Sequence, residues 1–129
     1  MSIESSIIGF LSDRLTETAT VNGVSTTAHI PVSAETPPGP PGKYVVVERT
    51  GGGEEQTGLL RATFAVRSCA PTLMEAMGLS GRVRTAMRLL PTLPCVFSCR
   101  CTREYNFSNP ADKHRRRYQA VFDVLYLED

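Results

Sequence analysis

The chain has 129 residues, of which 41% are hydrophobic and 21% charged, and its mean hydropathy is −0.13. These values are typical of one globular domain, and no stretch reaches the roughly 18 uncharged apolar residues of a membrane span. The net charge of +1 argues against a dedicated nucleic-acid binder. The charges are nevertheless unevenly distributed: residues 1–60 hold seven acids and three bases, whereas residues 61–129 hold six acids and eleven bases.

The beginning of the sequence carries an acid, Glu4, where a secretory signal peptide has positive charge, so we expect an unprocessed soluble protein. Four cysteines without a secretion signal predict free thiols in a reducing compartment. These cysteines are Cys69, Cys95, Cys99 and Cys101.

The first predicted element is a helix over residues 3–17, capped by Ser2, because apolar residues recur there at spacings of three and four. They are Ile3, Ile7, Phe10, Leu11 and Leu15. The turn residues Asn22 and Gly23 then precede β-branched residues, which predict a strand over residues 26–32. The segment ETPPGPPG, residues 35–42, predicts an irregular connector, because four prolines and two glycines prevent regular structure.

Residues 43–50 and 59–69 are rich in β-forming residues and predict a long antiparallel hairpin. Between them, residues 49–58 read RTGGGEEQTG and predict a flexible tip. Closing a loop of this size costs about 2 kcal/mol, which several cross-strand pairs can offset. A phosphate-binding loop is excluded because the segment has no lysine, connects two strands and carries two glutamates.

After Pro71 the apolar period becomes helical, which predicts a helix over residues 71–90. Gly78 and Gly81 weaken it and predict either a bend or close packing against the sheet. Residues 95–102 and 117–127 alternate again and predict a second hairpin. In its first strand one face is predicted to hold Cys95, Phe97, Cys99 and Cys101, and in its second strand one face Tyr118, Ala120, Phe122, Val124 and Tyr126.

Together these elements predict one domain, residues 1–129, of the α+β class. Its antiparallel sheet of long hairpins packs against two helices on one side, in the order α-β-β-β-α-β-β.

The residue pattern gives little support for a catalytic site or a metal site. The C-x3-C-x-C spacing of residues 95–101 differs from the C-x2-C spacing of structural zinc sites, so core thiols are favoured over zinc. His29 and His114 are the only histidines, and no catalytic motif accompanies them. We therefore expect no enzyme activity, cofactor or metal. The basic run KHRRR, residues 113–117, is interpreted as a phosphate contact, a solvated turn or a contact to the acidic tip of another subunit.

The whole arrangement resembles the tail terminator, or tail completion, proteins of long-tailed bacteriophages. The resemblance covers nearly the full length and is carried by the amino-terminal amphipathic helix, the proline-rich stretch, KYVVVERT, the glycine-containing tip, LLRATFAVRSCAPTLMEAMGLSGRVRTAM and the closing RYQAVFDVLYL. The proline-rich ETPPGPPG insertion is not a feature expected of the family.

The resemblance implies a virion protein that forms a hexameric ring at the head-proximal end of the tail, after assembly in the host cytoplasm. The ring caps the tail tube, stops its polymerisation and joins the head's connector or stopper protein. Its partners would be further copies of the chain and the major tail tube protein. DNA would pass through without sequence-specific binding, and no membrane would be involved.

Contacts in such a ring are head-to-tail, so two different surfaces must match. We expect residues 50–58 and the 112–117 turn to lie at subunit or tube contacts because of their opposite charge. The interface residues predicted in this way are Gly52, Gly53, Glu54, Glu55, Gln56, Lys113, Arg115 and Arg116.

Three alternatives remain open. One is a neck or head-completion ring protein, and a second is a small ligand-binding domain or enzyme with a thiol-lined pocket. The third is a nucleic-acid binder that uses residues 113–117.

Overall fold

The structure, a computed structural model, describes residues 2–39, 42–112 and 114–127. Its elements are α1 (Ile3–Arg14), β1 (Thr16–Val21), β2 (Val24–His29), β3 (Val32–Ser33), β4 (Tyr44–Gln56), β5 (Leu59–Ala70), α2 (Leu73–Met87), a 3₁₀ turn (Leu90–Thr92), β6 (Val96–Asn106) and β7 (Arg116–Leu127). The predicted α+β class is confirmed, with more strands before α2 than expected. Neither α-helix within these ranges is long and apolar enough to cross a membrane.

Five strands form the central sheet in the order β3-β4-β5-β7-β6. All neighbours are antiparallel except the short β3, which runs parallel to β4. Both predicted long hairpins, β4–β5 and β6–β7, are therefore present, and β7 joins them by pairing with β5.

Both helices cover one face of this sheet and bury the main apolar core, and Tyr44, Val46 and Cys69 form a second, small buried cluster. The largest fully buried side chains include Phe64, Phe122, Ile7, Leu11, Leu15, Met87 and Leu90. On β7 the predicted inward face is confirmed for Ala120, Phe122, Val124 and Tyr126, which belong to this core, whereas Tyr118 is only partly buried and does not. Among the described residues, no helix lies on the opposite face of the sheet, which is called the open face below.

The predicted strand over residues 26–32 is wrong in its extent. Residues 16–29 form a two-stranded hairpin, β1–β2, joined by Asn22 and Gly23 with φ of 53° and 77°. Two consecutive positive φ values are what a tight two-residue hairpin turn requires, and Asn-Gly suits it best. Only Thr16 is partly buried in either strand. The sequence therefore contains no alternation of apolar and polar residues from which β1 could be predicted.

Both helices begin at hydroxyl caps. The Ser5 amide donates to Ser2 Oγ at 3.1 Å, and the Glu75 amide donates to Thr72 Oγ1 at 3.2 Å, which satisfies a free amide in each first turn. Both helices end earlier than predicted. The prediction that α2 packs closely against the sheet at its glycines is wrong. A Cβ added to Gly78 would meet nothing within 4 Å, and α2 continues unbroken through it.

The predicted face of β6 is right for the cysteines and wrong for Phe97. Cys95, Cys99 and Cys101 pack against the core, whereas Phe97 is 70% exposed. The register to β7 shifts between Val96 and Ser98, so Val96 points inward and Phe97 outward. A β-bulge of this kind reverses a strict alternation at one position.

Candidate functional site

The glycine run 51–53 lies inside β4 and not in a flexible loop. Gly51, Gly52 and Gly53 pair with residues 63 to 61 of β5, and Gln56 pairs with Leu59. The turn therefore contains only residues 57 and 58, the second being a glycine with a φ of 81°. Because the β4–β5 ladder continues through the glycines, the predicted flexible tip of ten residues is wrong.

One glycine of this run is required by the geometry. Gly52 has a φ of 152° and follows a register shift between Arg49 and Gly51. A Cβ at Gly52 would overlap the carbonyl oxygen of Arg61 and lie 3.2 Å from the Cα of Ala62. A Cβ at Gly53 would meet nothing within 4 Å.

The two glutamates of the run stand at the distal end of the β4–β5 hairpin, called the acidic end below. Glu54 pairs with Leu60 in the ladder, and Glu55 Oε1 forms an ion pair with Arg61 Nε at 2.8 Å. Both glutamates are exposed, as is Gln56. Residues 51–56 thus form a strand-paired, solvent-facing ribbon whose net charge is negative.

The second group of predicted interface residues lies where β7 begins. Arg116 opens β7 and pairs with Ala70, the last residue of β5. The Arg115 guanidinium lies 5.5 Å from the centre of the Tyr44 ring. Lys113 falls outside the described residues. We call this end of the sheet the basic end.

The acidic and basic ends are opposite ends of one sheet. Leu59 and Ala70 bound β5, which has 12 residues, so its ends lie roughly 37 Å apart at about 3.4 Å per residue. Within one chain the two predicted groups are consequently not brought together.

The open face at the basic end holds a cluster that the sequence analysis missed. Guanidinium groups of Arg67 and Arg117 each lie 5.4 Å from the centre of the Phe107 ring, and that of Arg103 lies 6.0 Å from the Tyr105 ring. Tyr105 and Phe107 meet edge to face at 6.1 Å. We call these five residues the arginine–aromatic cluster.

A signal for part of this cluster existed in the sequence, because the alternation of β5 places Arg67 on the face opposite to Ala62, Phe64 and Val66. The positions of Arg103 and Tyr105 depend on a second register shift in β6, between Cys101 and Arg103. Periodicity alone does not reveal such a shift.

Three of the four thiols, those of Cys69, Cys99 and Cys101, are poor nucleophiles. Burial, with Cys101 and Asp123 nearby, raises the pKa of Cys99 to about 12, and burial also raises the pKa of Cys69 and Cys101. A protonated thiol neither attacks nor binds metal readily. Within residues 2–39, 42–112 and 114–127, no three His, Cys, Asp or Glu side chains converge as a metal site.

Known proteins resemble this chain in fold and not in sequence. No protein-family profile matches it, and no curated protein does. Among solved structures, the virion of a native gene transfer agent particle contains a similar chain, with a TM-score of 0.58 and 17% identity. The match covers 75% of this chain and 78% of that one. The chain therefore shares the fold of a virion component.

Proposed function

We propose that the protein is a structural virion protein that forms a ring on the tail tube, stops tube growth and presents the surface that joins the head. The observation that carries this proposal is the separation of charge along one sheet. An acidic end and a basic end, roughly 37 Å apart, suit head-to-tail association, in which each copy uses two different surfaces.

The shared fold supports a role in the virion, because the similar chain belongs to a phage-like particle. Two thiols of the alternative thiol-lined pocket favour a structural role over a catalytic one, because the raised pKa values of Cys99 and Cys101 make them weak nucleophiles. The resemblance of the sequence to tail terminator proteins supplies the finer assignment to the head-proximal end of the tail and to a six-membered ring.

In this ring the ribbon of residues 51–56 meets the basic end of the next copy. Glu54 and Glu55 lie on a paired strand, so little conformational entropy is lost when they bind. Arg115 and Arg116 supply the complementary charge. Charge contacts of this kind, at the exposed edge of an interface, determine how two copies are oriented and which partner is chosen more than they determine the affinity between them.

Charge reversal at the two ends tests this contact. The variants Glu54→Lys/Glu55→Lys and Arg115→Glu/Arg116→Glu should each prevent ring formation, and mixing the two proteins should restore it in part. Analytical ultracentrifugation with tail tubes present measures the assembly. Arg61→Gln is the matched control, because it removes the ion pair to Glu55 and leaves both carboxylates in place. Normal assembly by both reversed variants would contradict the contact.

The position in the particle needs a separate experiment. Particles produced without the protein should carry tubes of uncontrolled length and no joined heads in electron micrographs. Gold-labelled antibody should mark the head-proximal end of complete tails. A label within the neck, above a tube of normal length, would instead indicate a neck or head-completion ring.

A further inference from the structure

The arginine–aromatic cluster on the open face is built from three adjacent strands. Arg67 lies on β5, Arg117 on β7 and Arg103 on β6, while Phe107 follows β6 directly. Because β7 separates β5 from β6, Arg67 and Arg103 are two strand spacings apart, about 10 Å. The cluster thus presents several guanidinium groups across the width of the sheet.

A buried amide fixes part of the cluster in place. Gln119 is 6% exposed, and its Oε1 accepts from Arg67 Nε at 3.0 Å while its Nε2 donates to Tyr105 Oη at 2.5 Å. Arg67 also pairs with Glu48 at 2.7 Å. These contacts hold Arg67 and Tyr105 before any ligand arrives, which lowers the entropic cost of binding.

The remaining charge of the cluster is not neutralised. Among the described residues, neither Arg103 nor Arg117 forms an ion pair with a carboxylate. A guanidinium above an aromatic ring keeps its planar edge of N–H donors free for an anion, which is the geometry that suits phosphate.

We propose that this cluster binds the phosphate backbone of duplex nucleic acid without reading sequence. The rings of Tyr105 and Phe107 each contact a guanidinium group and meet each other edge to face, and Phe107 is 40% exposed, so neither ring presents a fully exposed face for stacking on bases. Phosphate contact through Arg103 and Arg117 is therefore favoured over single-strand recognition by stacking. The inference does not depend on ring formation, since it concerns one face of one copy.

Fluorescence anisotropy of the purified protein with a short mixed-sequence DNA duplex tests the proposal. Each phosphate contact contributes a slope of about −0.9 in a plot of log binding constant against log salt concentration. The double variant Arg103→Gln/Arg117→Gln should reduce the slope by about 2 and weaken binding about 10- to 100-fold near 50 mM salt. Its thermal denaturation curve checks that the fold is retained.

The matched control is Arg14→Gln/Arg88→Gln, which removes two exposed charges from the helix side of the molecule. It should keep the wild-type slope and affinity. Equal losses in both double variants would show that only total charge matters and would overturn the proposal. So would absence of DNA binding at low salt, or displacement of DNA by polyglutamate at equal charge concentration, which would indicate an acidic protein partner.

Discussion

Replacing Gly52 with alanine tests the geometry of the glycine run. The φ of 152° is one that L-residues rarely adopt, and the added Cβ would overlap the carbonyl oxygen of Arg61. A non-glycine residue in such a region costs about 1–3 kcal/mol. Unfolding entropy of about 2.1 cal/mol/K per residue gives about 4 °C of thermal shift per kcal/mol for 129 residues, so we expect Tm to fall by about 4–12 °C.

Gly53→Ala is the matched control, because its Cβ would meet nothing within 4 Å and its φ is not positive. It should change stability by no more than about 0.5 kcal/mol. Calorimetry measures Tm, and hydrogen exchange of the amides of residues 51–63 detects local opening of the ribbon if the strain is released there. Equal Tm values and equal exchange in the two variants would refute the reasoning.

Three further predictions follow from single contacts. Thr72→Ala should destabilise the protein by about 1 kcal/mol in urea denaturation, because the Glu75 amide loses its cap; an unchanged midpoint would contradict the cap. Cys99, with a pKa of about 12, should react slowly with iodoacetamide at pH 8 and about tenfold faster per pH unit up to that pKa; fast reaction at pH 7 in the folded protein would contradict its environment. Burial is the largest single influence and would raise the pKa of Glu4, but the 2.9 Å hydrogen bond from Arg49, the charge of Arg49 and hydrogen bonds from the Glu4 backbone and Ser2 together outweigh it, and the pKa is lowered. The stability from this pair is present above the unfolded pKa of about 4.3 and is lost as pH falls, so Glu4→Gln should cost up to about 1 kcal/mol at pH 7 and little at pH 2; equal costs would argue against the pair.

The strands that line the core could be predicted because burial leaves a period in the sequence. On β7, residues 120, 122, 124 and 126 alternate with partly polar neighbours and all face the helices. The exposed hairpin β1–β2 could not be predicted in the same way. It has no buried face, and its cross-strand hydrogen bonds, such as Thr18 to Thr27 at 3.1 Å, leave no apolar pattern.

The glycine run was misinterpreted for a related reason. Glycine is normally depleted in strands, so three in succession indicate a loop. Here the partner strand β5 lies between β4 and β7 and pairs with both. Its backbone forms the ladder with the three glycines. Tertiary pairing overrides local propensity in this segment, and no property of residues 51–53 alone could reveal it.

The candidate interface residues could be proposed from charge and composition, but their geometry could not. The sequence separates acids and bases along the chain, whereas the structure separates them along a sheet. The arginine–aromatic cluster needs the registers of three strands, including the shift between Cys101 and Arg103. Register depends on long-range pairing and on bulges, which one sequence does not display.

The position of β7 between β5 and β6 also has a consequence for how the molecule folds. In the described chain β6 pairs only with β7, while β4 and β5 pair with each other without it. During synthesis the β4–β5 ribbon can therefore form early, but β6 remains without a partner until β7 has emerged and inserted beside β5. Slow joining of these parts is expected, because β5 and β7 are distant in sequence and loop closure precedes their contacts. A premature stop before residue 116 would remove the strand between β5 and β6 and leave β6 without a pairing partner, with its backbone free to pair with another chain.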